Sequence, residues 1–308
     1  MSLAVTAFNQ IMIMFFIILI GIFCYRIRLI DQVTNRKLSD IVLILVNPIV
    51  VLVAYQREFD TTLLKGLLIS LVMAIITHFF AIIISIVVLR GKKHSAELAI
   101  ERFAVIYSNC GFIGIPMAGG LFGSEGVFYI TAYMTIFNLL VWTHGVVIMT
   151  GKANIKSIGK AFLSPTVIAT VVGFLLFVTR IMLPEVMLDT LTYIGNMNTP
   201  LAMLVAGVTI AQTDVKKLLI KPRIYFISFV KLLLVPIVML FFFQLFELPN
   251  VVLLTSVLAA ACPTAVTVNL FSIRYDKNYL YASEVFAIST MASMVTIPIV
   301  MYIANGIL

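Results

Sequence analysis

Charge is what this 308-residue chain has least of: Asp, Glu, Lys and Arg make up 11% of it, while hydrophobic residues make up 62%. A soluble domain covers its surface with about a quarter charged residues, so that class is excluded and the chain is predicted to be a polytopic membrane protein. Cysteine is scarce as well. Cys24, Cys110 and Cys262 lie in apolar segments without C-x-x-C or His spacing, which argues against a metal site or a disulfide and leaves them as small buried hydrophobes. The vocabulary of catalysis is missing too. There is no G-x-x-x-x-G-K loop, no H-E-x-x-H, and no Ser, His and acid set at membrane depth, so neither an enzyme nor a bound cofactor is expected. No loop on the basic side exceeds about 13 residues, which leaves no room for an ATP-driven motor.

What is present is long apolar sequence. Windows of about twenty residues place ten spans at 4–25, 36–55, 63–89, 99–122, 126–150, 164–183, 189–212, 223–246, 250–272 and 280–304. The first run, Leu3 to Tyr25, has no Lys or Arg ahead of it and is longer than a signal-peptide core, so it reads as a retained helix. Basic residues alternate between loops. Arg26, Arg28, Arg36, Lys37, Arg90, Lys92, Lys93, Arg102, Lys152, Lys156, Lys160, Lys216, Lys217, Lys221, Arg223, Arg274 and Lys277 collect on one side; Arg57, Lys65 and Arg180 fall on the other. The positive-inside rule then puts the loops after spans 1, 3, 5, 7 and 9 in the cytoplasm and both termini outside a plasma membrane. The net charge of +8 reports orientation and not a nucleic-acid partner.

An internal repeat is legible. Pro48, Leu52, Val53 and Ala54 match Pro200, Leu204, Val205 and Ala206 at an offset of 152, and Pro116 in span 4 has a counterpart at Pro263 in span 9. The natural division is residues 1–151 and 164–308, each with five spans. Five is odd, so the second half is expected to sit inverted relative to the first. Span 4 carries "SNCGFIGIPMAGGLFGSEG", six glycines and a proline in a stretch that ought to be helix. Such backbone is tolerated at membrane depth only where protein or a water-filled cavity satisfies it. Breaks near Gly111 to Pro116 and Cys262 to Thr264 would cross at mid-depth, as in inverted-repeat transporters. Two half-helix N-termini would then face each other and form an anion site.

The span 4 stretch, "KLLLVPIV" in span 8 and "AACPTAVTVNLFS" in span 9 resemble the auxin efflux carrier family, in its bacterial malate or malonate permease branch. The resemblance covers essentially the whole chain. It implies an all-α membrane fold of ten helices in two inverted five-helix repeats, similar to sodium/proton antiporters and bile-acid symporters. Spans 1, 2, 6 and 7 would form a scaffold, and spans 3–5 with 8–10 a transport domain that moves like an elevator. The implied activity is carriage of small organic anions such as malate, malonate or auxin-like acids, by uniport or with proton coupling. In plant members a polar residue beside the span 4 proline helps hold the carboxylate; here Pro116 is flanked by Ile115 and Met117, and Asn109 is the nearest amide.

The polar inventory agrees with an anion. Cation antiporters of this architecture need an acid near mid-membrane, whereas Glu101, Asp189, Glu247 and Glu284 all fall within about two turns of a span end. The substrate site is assigned to Asn109, Gly111, Gly114, Pro116, Asn138, Pro263, Thr264, Thr267 and Lys231. Lys231 lies about 12 Å along its helix from Arg223; it would act as substrate counter-charge, support the crossing, or cap the carbonyls of a broken half-helix. His78 is the proton-coupling candidate, with a neutral histidine bonded to backbone as its alternative. Asn47, Asn196, Asn198 and Thr199 would satisfy backbone freed at Pro48 and Pro200, or face substrate if the scaffold lines the path. Trp142, Tyr129 and Tyr133 read as belt or packing residues. The expected partners are a small carboxylate and the lipid bilayer, with monomer and homodimer both open. An anion channel or a substrate-sensing protein of the same fold is the competing function, and replacing Asn109 or Lys231 with Ala is expected to weaken transport with folding intact.

Overall fold

The computed structural model describes residues 3–90, 96–152, 159, 162–213 and 221–307. Lys92, Lys93, Lys156, Lys160, Lys216 and Lys217 of the basic loops lie outside the described residues. In chain order the helices are α1 (Leu3–Arg26), α2 (Gln32–Ala54), α3 (Thr61–Val88), α4 (Ala96–Ile106), α5 (Cys110–Thr150) and α6 (Pro165–Val178). They continue with α7 (Glu185–Ala211), α8 (Pro222–Phe243), α9 (Asn250–Ala261), α10 (Thr267–Arg274) and α11 (Tyr279–Ile307). Seven of these are long and apolar enough to cross a bilayer: α1, α2, α3, α5, α7, α8 and α11. Among the described residues there is no strand, only one isolated bridge between Ser108 and Thr264. Helix is the form such sequence must take, since backbone in lipid can bond only to itself. Phe8, Phe16, Phe79 and Tyr302 lie exposed on the outer faces, as a lipid solvent permits.

Local sequence sets the ends. Asp31 and Asp60 cap α2 and α3, accepting from the Thr34 and Thr62 amides at 2.7 and 2.6 Å. Those bonds to Thr34 hold the Asp31 carboxyl below its usual pKa. Gly151 ends α5 in the left-handed region, φ 73°.

Three helices widen into a π-turn immediately ahead of a proline: Val42–Val46 before Pro48, Cys110–Gly114 before Pro116, and Val230–Leu234 before Pro236. In each, the residue preceding the proline donates to a carbonyl five residues back, Asn47 to Val42, Ile115 to Cys110 and Val235 to Val230. A proline ring collides with the carbonyl four residues back. The wider turn moves that carbonyl aside, so the helix passes through the proline instead of stopping. This relocates the expected break in span 4. The Gly111–Pro116 stretch stays helical, and the chain unwinds earlier, between Ile106 and Cys110.

α5 is broken again at Gly123, whose φ of 62° and ψ of −151° no L side chain adopts readily. The turn falls in the gap at 122–126 between the fourth and fifth predicted spans. Beyond it the chain folds back: Val127 lies against Gly119, Ala118 against Gly126, and the Tyr107 hydroxyl reaches the Leu140 carbonyl at 3.0 Å.

α1 packs along α7, and the end of α2 along α6. At the first contact backbones touch: a Cβ on Gly207 would stand 2.2 Å from the Ile18 carbonyl oxygen, and one on Gly21 2.5 Å from that of Leu204. Backbone cannot give way as a side-chain tip can. Gly207→Val is therefore expected to destabilise the protein by about 3 kcal/mol, read as a lowered unfolding midpoint in detergent; an unchanged midpoint would mean the helices are free to separate.

Glu101 differs from expectation. Its place near a span end predicts contact with water or headgroups, but the side chain is buried, with 5% of its surface exposed, and takes a bidentate pair from Arg223 at 3.0 and 2.6 Å and a hydrogen bond from the Tyr281 hydroxyl at 3.0 Å. Lys221 pairs with Glu284 at 2.5 Å. Together these contacts tie α4 and α11 to α8 through charges whose partners leave none uncompensated.

Candidate functional site

The chain leaves helix twice at mid-molecule, after Ile106 and after Ala261, and the two unwound segments pair. Asn109 N–H donates to Pro263 O at 2.7 Å, and Ala265 N–H to Tyr107 O at 2.9 Å. Side chains satisfy what the bridge does not. Thr264 Oγ1 donates to Ala104 O at 3.2 Å near the end of α4, and the Thr264 N–H reaches Ser289 Oγ at 3.3 Å. Lys231 Nζ donates to Ala260 O at 3.3 Å and to Ser108 Oγ at 2.5 Å. An ammonium at a helix C-terminus meets the negative end of its dipole, so Lys231 holds the end of α9 to the unwound stretch.

A cavity of about 700 Å³ lies against this crossing. Its wall includes four of the nine substrate residues read from sequence: Asn109, Gly111, Asn138 and Thr267. Arg36, Asp40 and Arg274 also line it. Among the described residues three wall groups are buried donors with no partner, Asn109 Nδ2, Ser164 Oγ and Thr267 Oγ1, and Ser164 stands at the head of α6. Asn138 has spent its Nδ2 on Met134 O at 2.8 Å, so its carbonyl oxygen remains. Thr267 opens α10 and Cys110 opens α5, so each unpartnered donor lies beside a helix N-terminus, where amide donors and the dipole favour negative charge.

The other assigned residues lie elsewhere. Gly114 is packed among Ile130, Cys110 and Cys262, where a Cβ would meet Ile130 Cδ1 at 2.8 Å. Pro263 and Thr264 build the bridge itself. Pro116 lines a second cavity of about 560 Å³ with Arg57, Asn196, Asn198 and Thr199. Lys231, 1% exposed, does not line the large cavity and is hydrogen-bonded to its wall at Ser108. His78 is fully buried, its Nδ1 bonded to Ala74 O at 2.8 Å, its ring 4.8 Å from that of Tyr133, and its Nε2 without a partner.

Ser108 and Arg274 line this wall without having been singled out from the sequence as site residues. Ser108 is reached by Lys231 and lies 3.5 Å from the Tyr133 hydroxyl; its place at the head of the glycine-rich span 4 stretch was the available signal. Arg274 stands over the Trp142 ring at 5.5 Å, and both line the cavity. Asn47 and Asn198 do not satisfy backbone at their prolines but bond each other, Asn198 Nδ2 to Asn47 Oδ1 at 2.5 Å.

A helical membrane protein whose two unwound segments meet beside a cavity lined by unpartnered donors has the form of a membrane transporter. Comparison with known proteins agrees. The family described as membrane transport protein matches residues 6–301. The chain belongs to this family, that of the auxin efflux carriers. It is 24% identical over 224 residues to the uncharacterized transporter YfdV of Escherichia coli K12, covering 70% of each chain. It is 22% identical over 220 residues to the uncharacterized transporter MJ1031 of Methanocaldococcus jannaschii, covering 68% of this chain and 70% of the relative.

Proposed function

We propose that this transporter is a secondary carrier of small organic anions, mono- or dicarboxylates, and not an enzyme. The observation that carries the substrate class is the set of three buried, unpartnered donors, Asn109 Nδ2, Ser164 Oγ and Thr267 Oγ1, on the wall of one cavity, each beside a helix N-terminus. Buried donors without partners are rare and call for an occupant, and a carboxylate offers only acceptors. Arg36 and Arg274 against Asp40 leave the cavity wall net positive.

The ten-span inverted repeat is part of the proposal, and packing supports it. The offset of 152 takes Gly21 to Gly173 (21 + 152) and Tyr55 to Gly207 (55 + 152), and the pairs in contact are Gly21 with Gly207 and Gly173 with Tyr55. Each close contact thus has its counterpart in the other half. The network joining α4, α8 and α11 through Glu101 and Glu284 favours one moving body of spans 3–5 and 8–10 against a scaffold of spans 1, 2, 6 and 7. With the basic loops in the cytoplasm of a plasma membrane, the large cavity opens inward, and the second, carrying Arg57, faces the far side.

Uptake into proteoliposomes of labelled malate, malonate and indole acetate, with choline as cationic control, tests the reading. Saturable carboxylate uptake and counterflow support a carrier; flux that never saturates points to the channel, and uptake of choline alone sinks the anion site. His78 supplies a further test, since its Nε2, unpartnered beside the Tyr133 ring, can take a proton. His78→Gln is expected to preserve counterflow and abolish stimulation of uptake by an imposed pH gradient; full stimulation in that variant would remove His78 from coupling.

A further inference from the structure

We infer that Asn47 supplies a further donor to the carboxylate, from α2, and that Asn198 is the positioning residue that keeps its amide turned to give. The inference rests on the carboxylate reading above. Asn47 lies on the wall of the large cavity and Asn198 on that of the second, so their hydrogen bond spans the partition between the two. Both side chains are 3% exposed. A primary amide has one accepting and one donating end. Asn198 Nδ2 donates to Asn47 Oδ1, so the accepting end of Asn47 is engaged and its Nδ2 is the end left over. That nitrogen faces Gly111: a Cβ built there would stand 2.9 Å from it, closer than any other neighbour of Gly111. Gly111 is on the same cavity wall, two residues beyond Asn109. The glycine thus clears room for an amide from another helix to stand beside the crossing.

This arrangement has a consequence that mere packing does not. Asn198→Asp is nearly isosteric but cannot donate. Asn47 must then turn its Nδ2 toward the new carboxylate and present Oδ1 to the cavity, an acceptor facing an acceptor-only substrate. The substitution is therefore expected to raise KM for the transported acid by about ten- to a hundredfold, the size of one lost hydrogen bond to a charged group, with Vmax little changed. Asn47→Ala, which removes the donor outright, is expected to match it. The double variant Asn47→Ala/Asn198→Asp is expected to be no worse than Asn47→Ala alone, because Asn198 acts only through Asn47.

The experiment is proteoliposome uptake of whichever of malate, malonate and indole acetate the wild type carries, with the unlabelled acid and its neutral amide as competitors. Asn198→Asp should also shift competition toward the amide, which can donate to the inverted Asn47. An unchanged KM in Asn198→Asp overturns the inference. So does a penalty that persists in the Asn47→Ala background, since that would be repulsion by the introduced carboxylate itself. If Asn198→Asp fails to fold, Asn47→Ala and Gly111→Ala, which crowds the same amide, carry the test; unchanged KM in both overturns it. Absence of any carboxylate uptake by the wild type would instead remove the parent reading, an outcome separate from these.

Discussion

Replacing Lys231 with methionine is expected to cost the protein folding stability before it costs transport. The ammonium makes two hydrogen bonds, to Ala260 O and Ser108 Oγ, in a place with 1% of its surface exposed. Bonds from a charged donor are each worth about 1.5–3 kcal/mol, and the substitution leaves the α9 carbonyl with no ammonium and Ser108 without its donor. Against this stands the relief of no longer burying a charge, so a net loss of about 2–4 kcal/mol is expected. Thermal unfolding in detergent should show a midpoint lowered by several degrees, together with reduced yield of folded protein. Ser108→Ala in the same background removes one of the orphaned groups and should recover part of the loss. A Lys231→Met protein as stable as wild type would mean that the ammonium is not holding the crossing.

This outcome reverses an expectation drawn from sequence, that Lys231 could be exchanged without harm to folding. A buried cation with no buried acid suggests an anionic ligand, and nothing in a linear sequence distinguishes that partner from a helix C-terminus. The partner here is a carbonyl 29 residues further on, at the end of α9. An arginine at this position should not rescue: its planar fork is larger than an ammonium, and the site is closed on all sides.

What was legible in the sequence follows from how local each cause is. Apolar length and charge scarcity gave the membrane class, because every residue of a span contributes to them. Pro116 and Pro263 pointed to the crossing, yet the unwound residues are 107–109 in one segment and 262–266 in the other. The first prediction was misplaced because a proline in the first turn of a helix loses nothing and a π-turn absorbs its ring. Asn109 and Thr267 were identified as polar groups in apolar surroundings, which is a local signal. Glu101 was misjudged because its proximity to a span end says nothing of Arg223 and Tyr281, which come from two other helices. The Asn47–Asn198 pair, 151 residues apart, was visible only as two amides each preceding a proline by one or two residues.

Asn109→Ala is expected to separate function from folding in the opposite sense to Lys231. The backbone of Asn109 is what builds the bridge: its N–H bonds Pro263 O, and its carbonyl accepts from Ile113 and Gly114 at 3.1 and 3.2 Å. Its side chain makes no cap bond, and its Nδ2 is buried without a partner. Truncation to Ala therefore removes an unsatisfied donor and no cap bond, so the unfolding midpoint should stay level or rise, the mark of a group kept for function at some cost to stability. Uptake should fall, with KM up at least tenfold for the loss of one hydrogen bond to a carboxylate. Asn109→Asp keeps the shape and places a negative charge where the substrate's own charge must sit, so it should abolish uptake of every acid in the panel. Kinetics of the purified variants in proteoliposomes, beside their melting curves, check both. If Asn109→Ala transports with wild-type KM, the carboxylate does not bind at the crossing, and the Arg36 and Arg274 cations on the same wall would define its site.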